Sequence, residues 1–161
     1  MKNKAVFLDR DGVINEERGE YTFRIEDFRF TCGIFEFMKA ARDKGYLLIM
    51  ISNQGGVAKG LYSCDDVSRL HSWMQSVLEK QGIMLDDIYY CPHYPDVEPC
   101  SCRKPSPLMI LQAIKKHNID PSKSMMVGDG ERDAEAARGA GVKSLKIKPN
   151  EDLRPYISIL A

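Results

Sequence analysis

The stretch Lys4-Ala-Val-Phe-Leu-Asp-Arg-Asp-Gly12 sets the fold of this chain. Its first half is a short unbroken apolar run, which reads as a strand buried on both faces, the pattern of a parallel sheet covered by helices. The run stops at two acids one residue apart, and a glycine after them permits a tight turn. Polar groups therefore gather where a buried strand ends.

The same alternation continues outward. Ile34, Phe37, Met38 and Ala41 recur at helical spacing, and Gly45 closes that helix. Tyr46–Ile51 reads as a second buried strand. Val67, Leu70, Met74, Val77 and Leu78 mark a long helix, with Ser63 and Asp66 spaced as a capping box. Asp87–Cys91 is a third strand. Residues 91–105 form an irregular loop rich in Pro and Cys. Ser106 and Pro107 suit N-cap and N1 of a helix reaching about Asn118. Ser124–Gly128, a short helix from Asp133 to Gly139, and Val142–Ile147 complete the series. Strands alternating with helices predict right-handed βαβ units, hence an α/β fold with a central parallel sheet flanked by helices. Ligands of such sheets sit at the carboxyl ends of the strands, where Asp9, Ser52, Cys91 and Asp129 fall.

Composition narrows the class. The chain has 161 residues, 43% of them apolar, and balances 23 basic against 23 acidic side chains. One domain spanning residues 1–161 is expected. A balanced chain lacks the electrostatic footprint of a nucleic-acid binder, although a few local cations suffice for one phosphate. No run of about 18 apolar residues exists, so no membrane partner is expected. The amino-terminal segment is too charged for a signal peptide, so a cytoplasmic location is expected. There thiols stay reduced, and the crowding of Cys91, Cys100 and Cys102 points to metal.

Each strand end offers chemistry. Asp9 and Asp11 after the first strand, and Asp129 after the fourth, can converge on a hard cation such as Mg²⁺. With that cation in place, Asp9 can attack phosphorus and Asp11 can serve as general acid and base. Alone, Asp-x-Asp-Gly would as readily cap a turn; a Gly-Asp pair closing a later strand makes the combination more specific. Ser52-Asn-Gln-Gly-Gly56 can present a hydroxyl and backbone N–H groups to phosphate oxygens. Lys104, ahead of a helix, adds a point charge. Cys91, His93, Cys100 and Cys102 supply a Cys₃His set, which closes a tetrahedral Zn²⁺ site and makes that ion structural. Such a site would pin the loop that carries Arg103 and Lys104. His71 and His117 fall on helices as surface or packing residues, and Cys32 and Cys64 read as free thiols.

These motifs, in this order, resemble the haloacid dehalogenase superfamily. The carrying stretches are Leu8–Gly12, Ile51–Gln54, Cys91-Pro-His93, Cys100–Pro105 and Val127–Asp129. Within the superfamily they look most like the zinc-containing branch of D-glycero-D-manno-heptose 1,7-bisphosphate and histidinol-phosphate phosphatases. The resemblance covers residues 4 to about 148 and implies a Rossmann-like sheet without a large cap domain. It implies Asp9 as nucleophile, Asp11 as general acid/base, and Mg²⁺ on Asp9, the Asp11 carbonyl and Asp129. Ser52 and Lys104 would hold the transferring phosphoryl group. Asn53, Gln54, Gly55 and Arg103 would meet the substrate, with Glu17, Arg18, Gly19 and Glu20 at the mouth of the site. The implied partner is a small phosphorylated metabolite, a sugar bisphosphate, acted on by a monomer.

Two features point to different branches. Asn15 and the Gly56-Val-Ala-Lys-Gly60 stretch look like the heptose enzymes. The six residues between His93 and Cys100 look like the shorter loop of the histidinol-phosphate enzymes. Residues lining a site outweigh loop length, because loops vary easily, so removal of the 7-phosphate of the heptose is the expected reaction. Gly130 departs from the Lys that many sugar bisphosphatases of the branch carry after the second Asp. A zinc-stabilised binding module is the alternative of another class, and the acids at the strand ends, which repel phosphate without a cation, argue against it.

Overall fold

The computed structural model describes residues 1–161. Five strands form one parallel sheet: β1 (Lys4–Leu8), β2 (Tyr46–Asn53), β3 (Asp87–Cys91), β4 (Met125–Gly128) and β5 (Lys143–Lys146). Their order is β3-β2-β1-β4-β5. From β1 the chain moves outward to β2 and β3, then returns past β1 to β4. The reversal lies between β1 and β4, which is where open α/β sheets place their ligands. Asp9 and Asp129 flank that point.

Burial explains the apolar runs. Along β1, Val6 and Leu8 pack into one core with Leu48 and Met50 of β2, while Ala5 and Phe7 pack into another with Ile49 and Ile51. Alternating side chains thus enter opposite layers, and both layers are dry. Helices α1 (Ile34–Asp43) and α2 (Cys64–Lys80) cover the first core with Phe37, Met38, Leu70 and Met74. Helices α3 (Leu108–His117) and α4 (Glu131–Gly139) cover the second with Met109, Ile110, Ala136 and Ala137.

The capping box of α2 forms as the spacing predicts: Asp66 N–H donates to Ser63 Oγ at 3.0 Å, and Ser63 N–H to Asp66 Oδ2 at 2.9 Å. Helix α3 begins one residue later than its sequence signal, at Leu108, whose N–H still donates to Ser106 Oγ at 3.2 Å. No inserted domain interrupts the sheet. Two long connections, residues 9–33 and 92–107, rise beside its carboxyl edge and flank a cleft. No helix is long and apolar enough to cross a membrane.

Candidate active site

The end of β1 delivers Asp9 into a group of charges. Lys104 Nζ donates to Asp9 Oδ1 at 2.9 Å, to Asp133 Oδ1 at 2.6 Å and to the Ile51 carbonyl at 2.8 Å. The Arg10 amide donates to the same Asp9 Oδ1 at 2.9 Å, which leaves Oδ2 free of these donors. Carboxylate oxygens of Asp9, Asp129 and Asp133 lie within 4.8 Å of one another. Three acids therefore crowd together, and one buried ammonium bonds two of them, Asp9 and Asp133. Burial pushes Asp9 up to about 8, against the pull of Lys104 and with Asp133 and Asp129 adding to the push. Burial and then Asp133 also raise Asp129. For Lys104 burial works against the charge, and Asp9 and Asp133 outweigh it, so the ammonium is held. An excess of buried carboxylate oxygens over cations is a donor set that fits a hard divalent ion such as Mg²⁺.

Backbone space makes this crowding possible. Gly12 has φ +88°, and a Cβ there would meet Asp129 Oδ2 at 2.1 Å. A Cβ on Gly128 would fall 2.3 Å from the Asp133 side chain. Asp133 sits at N3 of α4, where its Oδ2 accepts the Gly130 amide at 3.2 Å. The capping position thus fixes a carboxylate that also grips Lys104.

Asp11 occupies a different setting. Its Oδ1 accepts from Arg10 Nη2 at 2.9 Å and Asn15 Nδ2 at 3.0 Å, and its Oδ2 from Gln54 Nε2 at 3.2 Å. Burial alone would raise this carboxyl. The Arg10 charge and the three donors outweigh that and hold it below the usual carboxylate range. Two carboxyls two residues apart are so pushed in opposite directions by their surroundings, a pattern that separates acid–base roles.

Above them opens a cleft of about 550 Å³. Asp9, Asp11 and Asp129 lie at its base, Glu17, Gly19, Glu20 and Tyr21 on one wall, and Asn53, Gly55, Tyr94 and Arg103 on another. Lys59 and Arg132 reach it from the rim. The Lys59 ammonium sits 3.9 Å from the Tyr94 ring centroid and 5.2 Å from that of Tyr21, and the Arg103 guanidinium 5.1 Å from Tyr94. Asn53 clamps the Lys104 backbone both ways, its Oδ1 accepting at 3.0 Å and its Nδ2 donating at 3.1 Å.

Beside the cleft, Cys91, His93, Cys100 and Cys102 converge. Cys91 Sγ is 3.6 Å from Cys100 Sγ and 2.8 Å from Cys102 Sγ, and His93 Nδ1 is 3.4 Å from Cys91 and from Cys102. A tetrahedral ion with Zn–S of about 2.3 Å separates its sulfurs by roughly 3.8 Å. All but the shortest contact approach that spacing, and 2.8 Å is too long for a disulfide. The donor set fits Zn²⁺. The other ring nitrogen, His93 Nε2, faces Glu98 Oε1 at 3.8 Å, the arrangement in which a carboxylate orients a metal-bound imidazole. Arg103 Nη1 donates to the His93 carbonyl at 3.1 Å, so the loop and the cleft wall share a hydrogen bond.

Most residues singled out in the sequence meet here, and three are placed otherwise. Ser52 is fully buried beneath the cleft, its hydroxyl accepting from Gln54 Nε2 at 2.8 Å. Gln54 is buried too, held by Tyr62, whose hydroxyl donates to Gln54 Oε1 at 2.8 Å, so it touches Asp11 and not the cleft. Arg18 folds back to Thr22 Oγ1 at 3.2 Å and the Tyr21 carbonyl at 3.3 Å, away from the lining. His71 and His117 pack as expected, His117 against Asp87 at 2.7 Å. Sequence reasoning missed Asp133, Glu98, Lys59, Arg132 and the buried Arg10. An acid at the third position of a helix that opens directly after a strand-end Asp is the one signal that pointed to Asp133.

A parallel sheet with acids at its reversal point and a lysine from a later loop defines a hydrolase class. This chain belongs to the haloacid dehalogenase-like hydrolases, whose family model matches residues 25–141. It is 49% identical over 150 residues to the D-glycero-beta-D-manno-heptose-1,7-bisphosphate 7-phosphatase of Haemophilus ducreyi, a match covering 89% of this chain and 82% of that protein. It is 47% identical over 149 residues to the D-glycero-alpha-D-manno-heptose-1,7-bisphosphate 7-phosphatase of Burkholderia mallei, covering 88% and 78%. Among solved structures, D,D-heptose 1,7-bisphosphate phosphatase from B. bronchiseptica, complexed with magnesium and phosphate, superimposes with a TM-score of 0.82 at 30% identity over 88% of this chain and 78% of that one. Family membership decides for an enzyme over a binding module.

Proposed function

We propose that this protein is a Mg²⁺-dependent phosphatase that removes the 7-phosphate of D-glycero-D-manno-heptose 1,7-bisphosphate through a phosphorylated Asp9. The observation that carries the reading is the Asp9–Lys104–Asp133 contact beside Asp129, at the point where the sheet reverses. The relatives named above supply the substrate. Asp9, Asp129, the Asp11 carbonyl and Asp133 would hold the Mg²⁺, whose charge offsets repulsion between carboxylate and phosphate.

Asp9 Oδ2, the oxygen without a lysine or amide donor, attacks phosphorus as the bond from phosphorus to the sugar oxygen breaks. Asp11 gives that oxygen its proton. Phosphate seated next to Asp11 raises the proton affinity of a carboxyl that its neighbours otherwise keep ionised. Water then attacks the phosphoaspartate, Asp11 takes a proton from it, and orthophosphate leaves. Lys104 stabilises charge on Asp9 and the transferring group throughout. Lys59, Arg103 and Arg132 also line the cleft and suit the second phosphate. Arg132, two residues past Gly130, offers a cation on the side where the branch often has Lys. Cys91, His93, Cys100 and Cys102 would hold Zn²⁺ and so fix the wall that carries Arg103.

Phosphate release with Mg²⁺ from both anomers of the heptose bisphosphate, fructose 1,6-bisphosphate and histidinol phosphate tests the reading. The expected result is a kcat/KM for a heptose anomer at least about a hundredfold above the others, the discrimination that paired charges on a second phosphate can supply. A preference for histidinol phosphate overturns it.

A further inference from the structure

Arg10 is the one fully buried arginine, and the reaction above gives it no task. Its side chain is 1% exposed, yet it sits against Asp11. Burying a guanidinium is costly unless it is paired, and an aliphatic residue would serve a core better. The pairing here is directed. Nη2 donates to Asp11 Oδ1 at 2.9 Å and to the Thr22 carbonyl at 2.6 Å, and Nη1 lies 3.2 Å from His71 Nε2. Burial and the arginine charge depress His71 to about 3, so its imidazole is neutral and accepts from Nη1. The arginine carbonyl accepts the amides of Val13, Ile14 and Asn15 at 3.1, 2.8 and 3.1 Å, closing the turn that presents Asp11. One residue thus fixes the backbone and the carboxylate together.

We propose that Arg10, backed by His71, is a positioning residue that aims the Asp11 carboxyl at the leaving oxygen. The inference rests on the acid role given to Asp11 above. A short carboxyl has few ways to point, and its three donors come from Arg10, Asn15 and Gln54. Only the arginine brings a charge, and it is itself anchored by the Thr22 carbonyl and by His71, as Gln54 is by Ser52 and Tyr62. Thr22 belongs to the connection that forms the mouth of the cleft, so the same guanidinium ties the acid to the wall over it. Loss of Arg10 therefore weakens proton delivery and leaves attack by Asp9 untouched.

Leaving groups separate these effects. An alkyl phosphate needs a proton on its departing oxygen; p-nitrophenyl phosphate does not. Because kcat/KM covers steps only through the first irreversible one, it reports formation of the phosphoaspartate. We would measure kcat/KM for both esters, with Mg²⁺, in wild type, Asp11→Asn, Arg10→Gln, His71→Leu and the Arg10→Gln/Asp11→Asn double variant. Asp11→Asn should lose about 10²-fold or more on the alkyl ester and far less on the aryl ester, as removal of a general acid does. Arg10→Gln should show the same selectivity at about tenfold or more, and His71→Leu a smaller selective loss. The double variant should be no worse than Asp11→Asn alone, because residues that act as a unit are not additive. Should Arg10→Gln fail to fold, His71→Leu carries the test, and its selective loss supports the proposal. Equal losses on the two esters in the folded Arg10 or His71 variants, with selectivity kept in Asp11→Asn, overturn the positioning role alone. Equal losses in Asp11→Asn overturn the acid role and the inference with it.

Discussion

The carboxylate cluster lies at the base of the cleft and the thiol cluster beside it, and they are built differently. Asp9 and Asp129 follow strands, Asp133 sits in the first turn of a helix, and Lys104, from the connection before α3, reaches back to the Ile51 carbonyl of β2. Their framework is the sheet, whose cores hold it whatever ion is bound. Cys91, His93, Cys100 and Cys102 come from one stretch in which residues 95–101 are all exposed. Cys91, at the end of β3, belongs to a core, and Cys102 packs against it from the side. That stretch has little apolar surface to hold it, so under the proposal a bound ion would supply its order. Under the proposed function, one site would be shaped before its metal arrives and the other by its metal.

The comparison breaks most readily at Asp9. Asp9→Asn should reduce kcat by at least about 10⁴-fold, as loss of a covalent nucleophile does, while near-UV circular dichroism stays unchanged. Turnover near that of wild type would end the covalent reading. The same substitution probes a preformed but crowded site. Folding raises Asp9 from 3.8 to about 8. Protonated Asp9 is thus the form the fold prefers, so its stabilisation is complete below pH 3.8 and lost as pH climbs through about 8. In EDTA, the Tm of wild type should fall between pH 4 and pH 8 by about 4 °C or more beyond the fall of Asp9→Asn. Mg²⁺ at pH 8 should recover that difference in wild type. Parallel Tm curves for the two proteins would show that the acids are not crowded without the ion.

The two clusters also differed in how far the sequence disclosed them. Thiols and an imidazole lie close in the chain, so spacing alone brought together the four residues that now converge. Apolar runs gave β1, β2 and β4 to within a residue or two, because a strand covered on both faces has few other readings, whereas the edge strands β3 and β5, half-buried and mostly exposed, followed from their alternation with helices. Asp133 hid because its place at N3 of α4 has a sufficient local explanation, the cap on Gly130, and its bond to Lys104 spans 29 residues. Arg10 hid for a related reason: flanked by two acids, it reads as a solvated partner, and only the packing of Phe28, Thr22 and His71 around it reveals a buried guanidinium. Ser52 and Gln54 were read as facing phosphate, yet a strand's last residues alternate, and the hydroxyl and amide point into the network under Asp11.

On the thiol side the expected loss is smaller. Cys100→Ser removes one thiolate from a site with no spare ligand, so zinc content measured by plasma emission should drop below half. The loop loosens and Arg103 drifts from the His93 carbonyl it now holds at 3.1 Å. KM should rise about tenfold, a loss of roughly 1.4 kcal/mol in binding, with kcat within a few-fold, since Asp9 and Lys104 are anchored by the sheet. A kcat defect as large as that of Asp9→Asn would mean that the loop shapes the carboxylate cluster as well, and the contrast between the two sites would dissolve.

The finest probe is Glu98. Its carboxylate stands 3.8 Å from His93 Nε2 and is about half exposed, so it orients the imidazole through a contact that water screens. Outer partners held tightly in a protein interior alter metal affinity by roughly 10- to 100-fold. A screened one should count for less, and Glu98→Gln should weaken zinc retention against a competing chelator by about threefold at most, with no change in KM at saturating zinc. A loss above tenfold would have a specific meaning. It would say that the exposed turn from Tyr94 to Glu98, held by amides of Val97 and Glu98 donating to the Tyr94 carbonyl at 3.0 Å, is ordered in its own right and presents the imidazole in advance. The thiol site would then owe part of its shape to the chain, as the carboxylate site does.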